Sequence, residues 1–160
     1  MSVLPVGMSL EDLVKTSHYI VLVEKQKPFV QVEKMPLRSS EDRSSYYERK
    51  SFHCKIIKIL YSVDKTRGPK AGEIIRVYES GTDEHLEDIK LAAQSPPQEN
   101  WPIAIEQFYH EDTPAENEDS RIILFLTTTF KEHYEMAVHG GYELESKIGQ
   151  VNKIIGAGGL

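Results

Sequence analysis

The chain has one cysteine in 160 residues, Cys54. A single thiol excludes an intramolecular disulfide framework and any CxxC metal or redox motif, so the simplest reading of Cys54 is a small buried hydrophobe. Long apolar runs are also missing. The longest, Tyr19 to Val23 and Ile122 to Leu126, are five residues each, far from the roughly 20 that a membrane-spanning helix needs. The opening Met1-Ser2-Val3-Leu4-Pro5-Val6-Gly7 carries neither the charged n-region nor the apolar h-region of a secretory signal, which makes the cytoplasm the expected location and gives no membrane partner. Eight Pro and ten Gly are too few for a low-complexity or collagen-like chain. There is no internal repeat, heptad array, Walker loop or GxGxxG loop, and no cofactor is expected.

What is present suits one compact domain over residues 1–160: 39% of residues are hydrophobic and 28% charged. The net charge of −6 is unevenly spread. Residues 1–81 carry 14 Lys+Arg against 10 Asp+Glu, and residues 121–160 carry four of each. Residues 82–120 hold 11 acids against Lys90 alone, so one acidic insert contains the whole negative excess. Such a field repels phosphate-rich partners and steers basic ones.

Ser9-Leu10-Glu11-Asp12 has the form of a capping box, and Leu10, Leu13 and Val14 fall on one helical face, which predicts a short helix over about residues 9–17. Tyr19 to Val23 is β-branched and aromatic enough for a strand buried on both faces, and Phe29 to Glu33 is expected to pair with it as a hairpin across Lys25-Gln26-Lys27-Pro28. Residues 37–50 read as a polar surface loop. Phe52, Cys54 and Ile56 alternate in one phase and Ile57, Ile59 and Tyr61 in the other, which predicts a bulge at Ile56-Ile57. A turn over 64–72 leads to a strand at 73–78, a helix is expected over 83–94, and Ile103-Ala104-Ile105 forms a short apolar piece. Arg121 to Thr128 is the expected central strand. Alternation around Tyr134, a turn at Gly140-Gly141, a short strand at Tyr142–Glu145 and an amphipathic piece at 148–155 complete the chain, with 156–160 as a flexible tail. Hairpin rather than βαβ spacing implies a mainly β fold, all-β or α+β, with antiparallel strands in a small barrel and one or two short helices.

The order of these parts resembles the bacterial OB-like barrels akin to the netrin-like domain of tissue inhibitors of metalloproteinases. The resemblance rests on the opening helix and strand (Leu10 to Val14, Ile20 to Val23), Phe52 to Leu60 leading to Gly72 to Val77, Arg121 to Leu126, the strand around Tyr134, and Gly140-Gly141-Tyr142. It implies an OB-like fold. It does not imply protease inhibition by metal coordination, because the animal inhibitors use an N-terminal cysteine and disulfides, whereas this chain begins Met1-Ser2 and has Cys54 only.

Several candidate sites compete with simpler structural readings. His133, Glu135 and His139 share a strand face, but His133 and His139 are six residues apart, about 20 Å at ~3.3 Å per residue, too far for one ion. Solvent-facing polar residues are the expected reading, with no metal. His53 and Cys54 point to opposite strand faces, so His53 cannot activate the thiol, and no catalytic set is assigned. Ten Lys+Arg between Lys34 and Lys70, interleaved with Tyr46, Tyr47 and Phe52, fit single-stranded nucleic acid on an OB-like barrel, while the pI near 5.5 argues against it. Trp101, Phe108 and Tyr109 flank the acidic loop; a tryptophan beside Pro102 more often plugs a core edge than anchors a partner, but if exposed among these acids it is the natural protein-binding hot spot. The leading expectation is therefore a non-enzymatic binding module, an intracellular inhibitor or immunity-type protein. It would use Trp101, Tyr109, Glu111, Asp112, Glu116, Glu118 and Asp119 to meet a protein with a basic surface. A concealed metal-dependent hydrolase is the alternative, and single-stranded nucleic-acid binding a further one.

Overall fold

The computed structural model describes residues 2–36, 46–80, 104–115, 119–128 and 134–158. The elements in chain order are β1 (Ser2–Met8), α1 (Leu10–Thr16), β2 (Tyr19–Pro36), β3 (Tyr46–Ser62), β4 (Ile74–Tyr78), β5 (Ala104–His110), β6 (Arg121–Thr128), β7 (Tyr134–Met136), β8 (Tyr142–Leu144) and, after a 3-10 turn, α2 (Ile148–Ala157). Over the described residues the protein is mainly β with two helices, as its composition of hairpin-spaced apolar segments predicts.

Five strands pair in a ring: β2 with β3, β3 with β4, β4 with β7, β7 with β6, and β6 back to β2. The sheet is mixed rather than antiparallel throughout, because β4–β7 is parallel. One edge of β6 is used by β2, and the other by β7 and then β8. A separate two-stranded parallel ribbon joins β1 to β5.

Strands β2 and β6 explain the architecture. All of Tyr19 to Val23 and Ile122 to Leu126 are buried, which is how a strand covered on both faces reads in sequence. Tyr19, Val21, Val23, Ile122, Leu124 and Leu126 enter a first core with Cys54, Ile56, Val77 and Met136. Ile20, Leu22, Ile123 and Phe125 face the other way and meet Leu13 and Val14 of α1 and Val151 of α2 in a second core. The ring thus encloses one core and carries the helices on its outside.

The bulge expected at Ile56-Ile57 is present: β3 pairs jump from Leu22↔Lys58 to Val23↔Ile56, and a second jump falls between Ile20↔Tyr61 and Val21↔Ile59. Each extra residue bends the strand and increases its twist. As a result Ile56 and Ile59 both serve the first core while Ile57, Leu60 and Tyr61 serve the second.

Helix α1 starts where the capping box predicts, with Ser9 Oγ accepting the Asp12 N–H at 3.2 Å. Other expectations need correction. Tyr19–Val23 and Phe29–Glu33 are not a hairpin but parts of one 18-residue strand. Pairing with β3 passes from Lys25↔Cys54 to Val30↔Phe52, so Gln26 to Phe29 are accommodated opposite His53 as an extended bulge instead of a turn. The loop read over 37–50 ends earlier, since β3 begins at Tyr46 and buries Tyr47, Arg49 and Ser51 in alternation. Strand β1 has no counterpart in the sequence reading, and it carries Pro5 and Gly7 in a two-stranded ribbon where β5 is its one partner strand among the described residues. Ala104 and Ile105 belong to a longer β5, and α2 takes in Gly156 and Ala157, two residues of the segment read as a tail. The helix expected over 83–94 lies outside the described residues.

Among the described residues the ring is thinnest between β4 and β7, where Val77↔Tyr134 and Tyr78↔Glu135 are the pairs formed. Arg49 spans this seam from β3. Its guanidinium, almost fully buried, lies 2.9 Å from the Glu135 carboxylate, donates to the Glu79 carbonyl at 3.0 Å and sits over the Tyr78 ring. Removing one partner of such a pair leaves a buried charge unmatched. Arg49→Met and Glu135→Met are each expected to cost about 3 kcal/mol in urea unfolding, with the double variant losing less than the two together. Burial also pushes the Cys54 thiol up to about 12. The expected reaction of Cys54 with a disulfide reagent at pH 8 is at least about a hundredfold slower in the native than in the urea-unfolded protein.

Candidate functional site

The β1–β5 ribbon carries Tyr109 of the predicted interaction surface and leads directly into Glu111 and Asp112. In a parallel ladder, register partners lie side by side on one face. Leu4 with Glu106, Val6 with Phe108 and Met8 with His110 form one face; Pro5 with Gln107 and Gly7 with Tyr109 form the other. Exposure changes along the ribbon. Leu4 is 51% exposed, Phe108 39% and Tyr109 41%, whereas His110 is 2% exposed and Met8 packs on the second core. The ribbon therefore emerges from that core with its aromatic residues in solvent.

A buried joint fixes its inner end. His110 Nε2 lies 2.7 Å from Glu143 Oε1 of β8, with side-chain exposures of 0% and 5%. The backbone N–H of His110 donates to the His139 carbonyl at 2.9 Å, and the N–H of His139 donates to Phe108 at 3.0 Å. Thr113 Oγ1 lies 2.8 Å from the His110 carbonyl and 3.1 Å from that of Gly140, and the Tyr142 hydroxyl donates to the Pro114 carbonyl. Gly140 has φ +64°, and a Cβ there would collide with the Thr113 side chain, so both conformation and space call for glycine.

The structure brings Tyr109 and Glu111 together. A Cβ at Gly7 would stand 3.1 Å from Tyr109 Oη and 2.7 Å from Glu111 Oε1, which shows both side chains converging over that glycine. The Glu111 N–H donates to the Met8 carbonyl at 3.0 Å, so the first acid after β5 is held by the ribbon. Asp112 is exposed beside it in the chain, and Asp119 is exposed just ahead of β6. Trp101, Glu116 and Glu118 lie outside the described residues.

The other candidates are dispersed. Glu135 is engaged with Arg49 rather than facing solvent, and His139 Nε2 lies 2.6 Å from Gln107 Nε2, so these two members of the strand trio have different neighbours; His133 is not among the described residues. His53 accepts from Arg76 Nε at 3.0 Å. Among the described residues no group of three or more His, Cys, Asp or Glu is placed to hold a metal ion. Within the basic region, Arg49 is buried and Lys34 covers the Tyr46 ring at 4.4 Å.

Sequence reasoning missed the His110–Glu143 joint. Its members are 33 residues apart, and the alternation Tyr142-Glu143-Leu144 would place Glu143 outward, the reverse of its observed burial. Comparison with protein-family models, with curated proteins and with solved structures finds no match.

With Nε2 directed at the carboxylate, His110 Nδ1 is buried and has no hydrogen-bond partner among the described residues. Replacing the carboxylate by an apolar group would orphan the second ring nitrogen too. Glu143→Leu is expected to destabilise the protein by about 1–3 kcal/mol more than Glu143→Gln, whose amide oxygen still accepts. Hydrogen exchange should show the loss first at the amides of Glu111 and His139.

Proposed function

We propose that the protein is a non-enzymatic binding module, an intracellular inhibitor or immunity-type protein built on a small OB-like barrel. The cyclic strand order, with one parallel pairing among antiparallel ones and helices outside, supports the barrel. The observation that carries the functional reading is the pairing of the exposed Tyr109 with Glu111 over Gly7, on a ribbon whose inner end is buried. A pre-positioned aromatic loses little freedom on binding, and large aromatics dominate interface energetics. The acids that follow, Glu111 and Asp112, and Asp119 before β6, set the charge of the partner: a protein with a basic surface. Trp101, Glu116 and Glu118 belong to the same acidic insert and are proposed to act with them.

Charge reversal at Glu111, Asp112, Glu116, Glu118 and Asp119 is expected to leave the circular dichroism spectrum and unfolding midpoint close to wild type. Captured basic partners should then associate about tenfold or more slowly, and the wild-type association rate should fall with added salt. Tyr109→Ala should instead raise the dissociation rate. An identical partner set with unchanged rates for both variants would remove the insert from recognition.

A further inference from the structure

The long strand β2 has an edge that β6 covers only in part. Away from β3, β6 pairs with Tyr19 to Glu24, and the Ser120 carbonyl accepts the Lys25 N–H at 2.8 Å. Beyond the extended bulge, residues 30–36 pair with β3 and with no second strand among the described residues. The direction of their backbone groups follows from β3. The Lys50 carbonyl accepts the Glu79 N–H at 3.0 Å and the Lys50 N–H donates to Glu79 Oε1 at 3.0 Å, so Lys50 turns both groups away from β2. Antiparallel pairs alternate between those that exchange two bonds and those that exchange none. Val32↔Lys50 is of the second kind, and so are Val30↔Phe52 and Lys34↔Glu48. The N–H and C=O of Val30, Val32 and Lys34 therefore point out from the edge.

The side chains of the same residues are also outside. Val30 is 45% exposed and Val32 57%, although both are aliphatic. Lys34 is exposed, with its ammonium 4.4 Å from the centre of the Tyr46 ring. An open edge that carries apolar side chains is a template for another strand. Pro28 and Pro36, which lack an N–H, bound the stretch.

The stretch is complementary to itself. Two copies running antiparallel about an axis at Val32 set Val32 against Val32, Val30 against Lys34 and Gln31 against Glu33. Every outward group is then used, valine meets valine at the axis, and no like charges oppose. An axis at Glu33 would oppose two carboxylates and set Val30 against Pro36. An axis at Gln31 would set Lys34 against Pro28. The contact centred on Val32 uses the same patch on both copies, so it closes at a pair instead of growing into a fibre.

We propose that the protein pairs with a second copy of itself through residues 30–34 of β2, antiparallel and centred on Val32, so that the two β2 strands join one continuous sheet. This edge is separate from the acidic ribbon and does not depend on the reading given to that ribbon.

Sedimentation velocity of the full chain from about 5 to 500 µM tests the proposal. The expected result is a monomer–dimer equilibrium with a Kd on the order of 10–100 µM, as suits a short strand interface. Amide exchange at Val30, Val32 and Lys34 should slow with rising concentration, while that at Gln31 and Glu33, whose N–H groups already meet β3, should not change. Val32→Pro removes an outward N–H that β3 does not use and is expected to fold; it should weaken the dimer about tenfold or more. Val32→Lys, at an exposed position, should do the same by opposing two ammonium groups at the axis. Under oxidising conditions Val32→Cys should link two chains, since the Cα atoms of such a pair stand about 5.5 Å apart. Ile74→Cys, exposed on β4, should not. A chain that stays monomeric throughout, a dimer left unchanged by the folded Val32 variants, or linkage through position 74 as rapid as through position 32 would each overturn it. So would protection of the Val32 amide that appears only when a different protein is added.

Discussion

The constraint on which the structure depends is that β2 and β6 must bury side chains on both faces at once. Each fully buried aliphatic or aromatic side chain contributes on the order of 1.5–3 kcal/mol, and these two strands place ten consecutive-run residues in that state. Neither face can be left uncovered. The inward residues require a ring of strands around them, and the outward ones require α1 and α2. The bulges of β3 follow from the same demand. A long strand in register would have sent Ile56 and Ile59 to opposite faces, and the extra residue between them lets both serve one core.

Backbone pairing alone leaves two weak places, and each holds a buried polar pair. The seam between β4 and β7 has two residue pairs and is spanned by Arg49 and Glu135. The ribbon meets the ring through one isolated bridge, Tyr109↔His139, and is joined there by His110 and Glu143. Buried charges are weak evidence for net stability because desolvation offsets their attraction. Their value here is geometric. An apolar replacement would tolerate several positions of β7 or of the ribbon, whereas a hydrogen-bonded pair at 2.7–2.9 Å permits one.

Legibility in the sequence followed the reach of each interaction. The Ser9 cap, the two-faced strands and the bulge at Ile57 are local patterns of a few residues, and each is found where it was read. Readings failed where a distant partner decided the outcome. Lys25 to Pro28 has turn composition, but β3 supplies a continuous template and the residues bow out within one strand. Residues 2–8 carry no reading as a strand, yet they pair with β5, and Gly7 leaves space for Tyr109 and Glu111. Of the proposed surface, Tyr109 and the neighbouring acids were legible as an aromatic among like charges. The joint that holds them was not, since nothing near His110 or Glu143 signals the other. The open edge of β2 was equally hidden, because it depends on β6 beginning at Arg121 and stopping short of it.

One short segment, Val138 to Glu143, ties these features together. Val138 belongs to the second core, His139 pairs with the ribbon, Gly140 and Tyr142 hold Thr113 and Pro114 after β5, and Glu143 closes the buried joint. Its backbone is equally committed: the Phe125 N–H donates to Gly141, and the Gly141 N–H donates to Val138. A Cβ at Gly141 would lie 2.9 Å from the Val138 carbonyl oxygen, a backbone atom that cannot step aside without moving the turn. The two glycines therefore set the path by which the chain leaves β7, touches the ribbon and returns to β6 as β8. Because core, ribbon and the segment after β5 share this path, none of the three can be repositioned independently of the others.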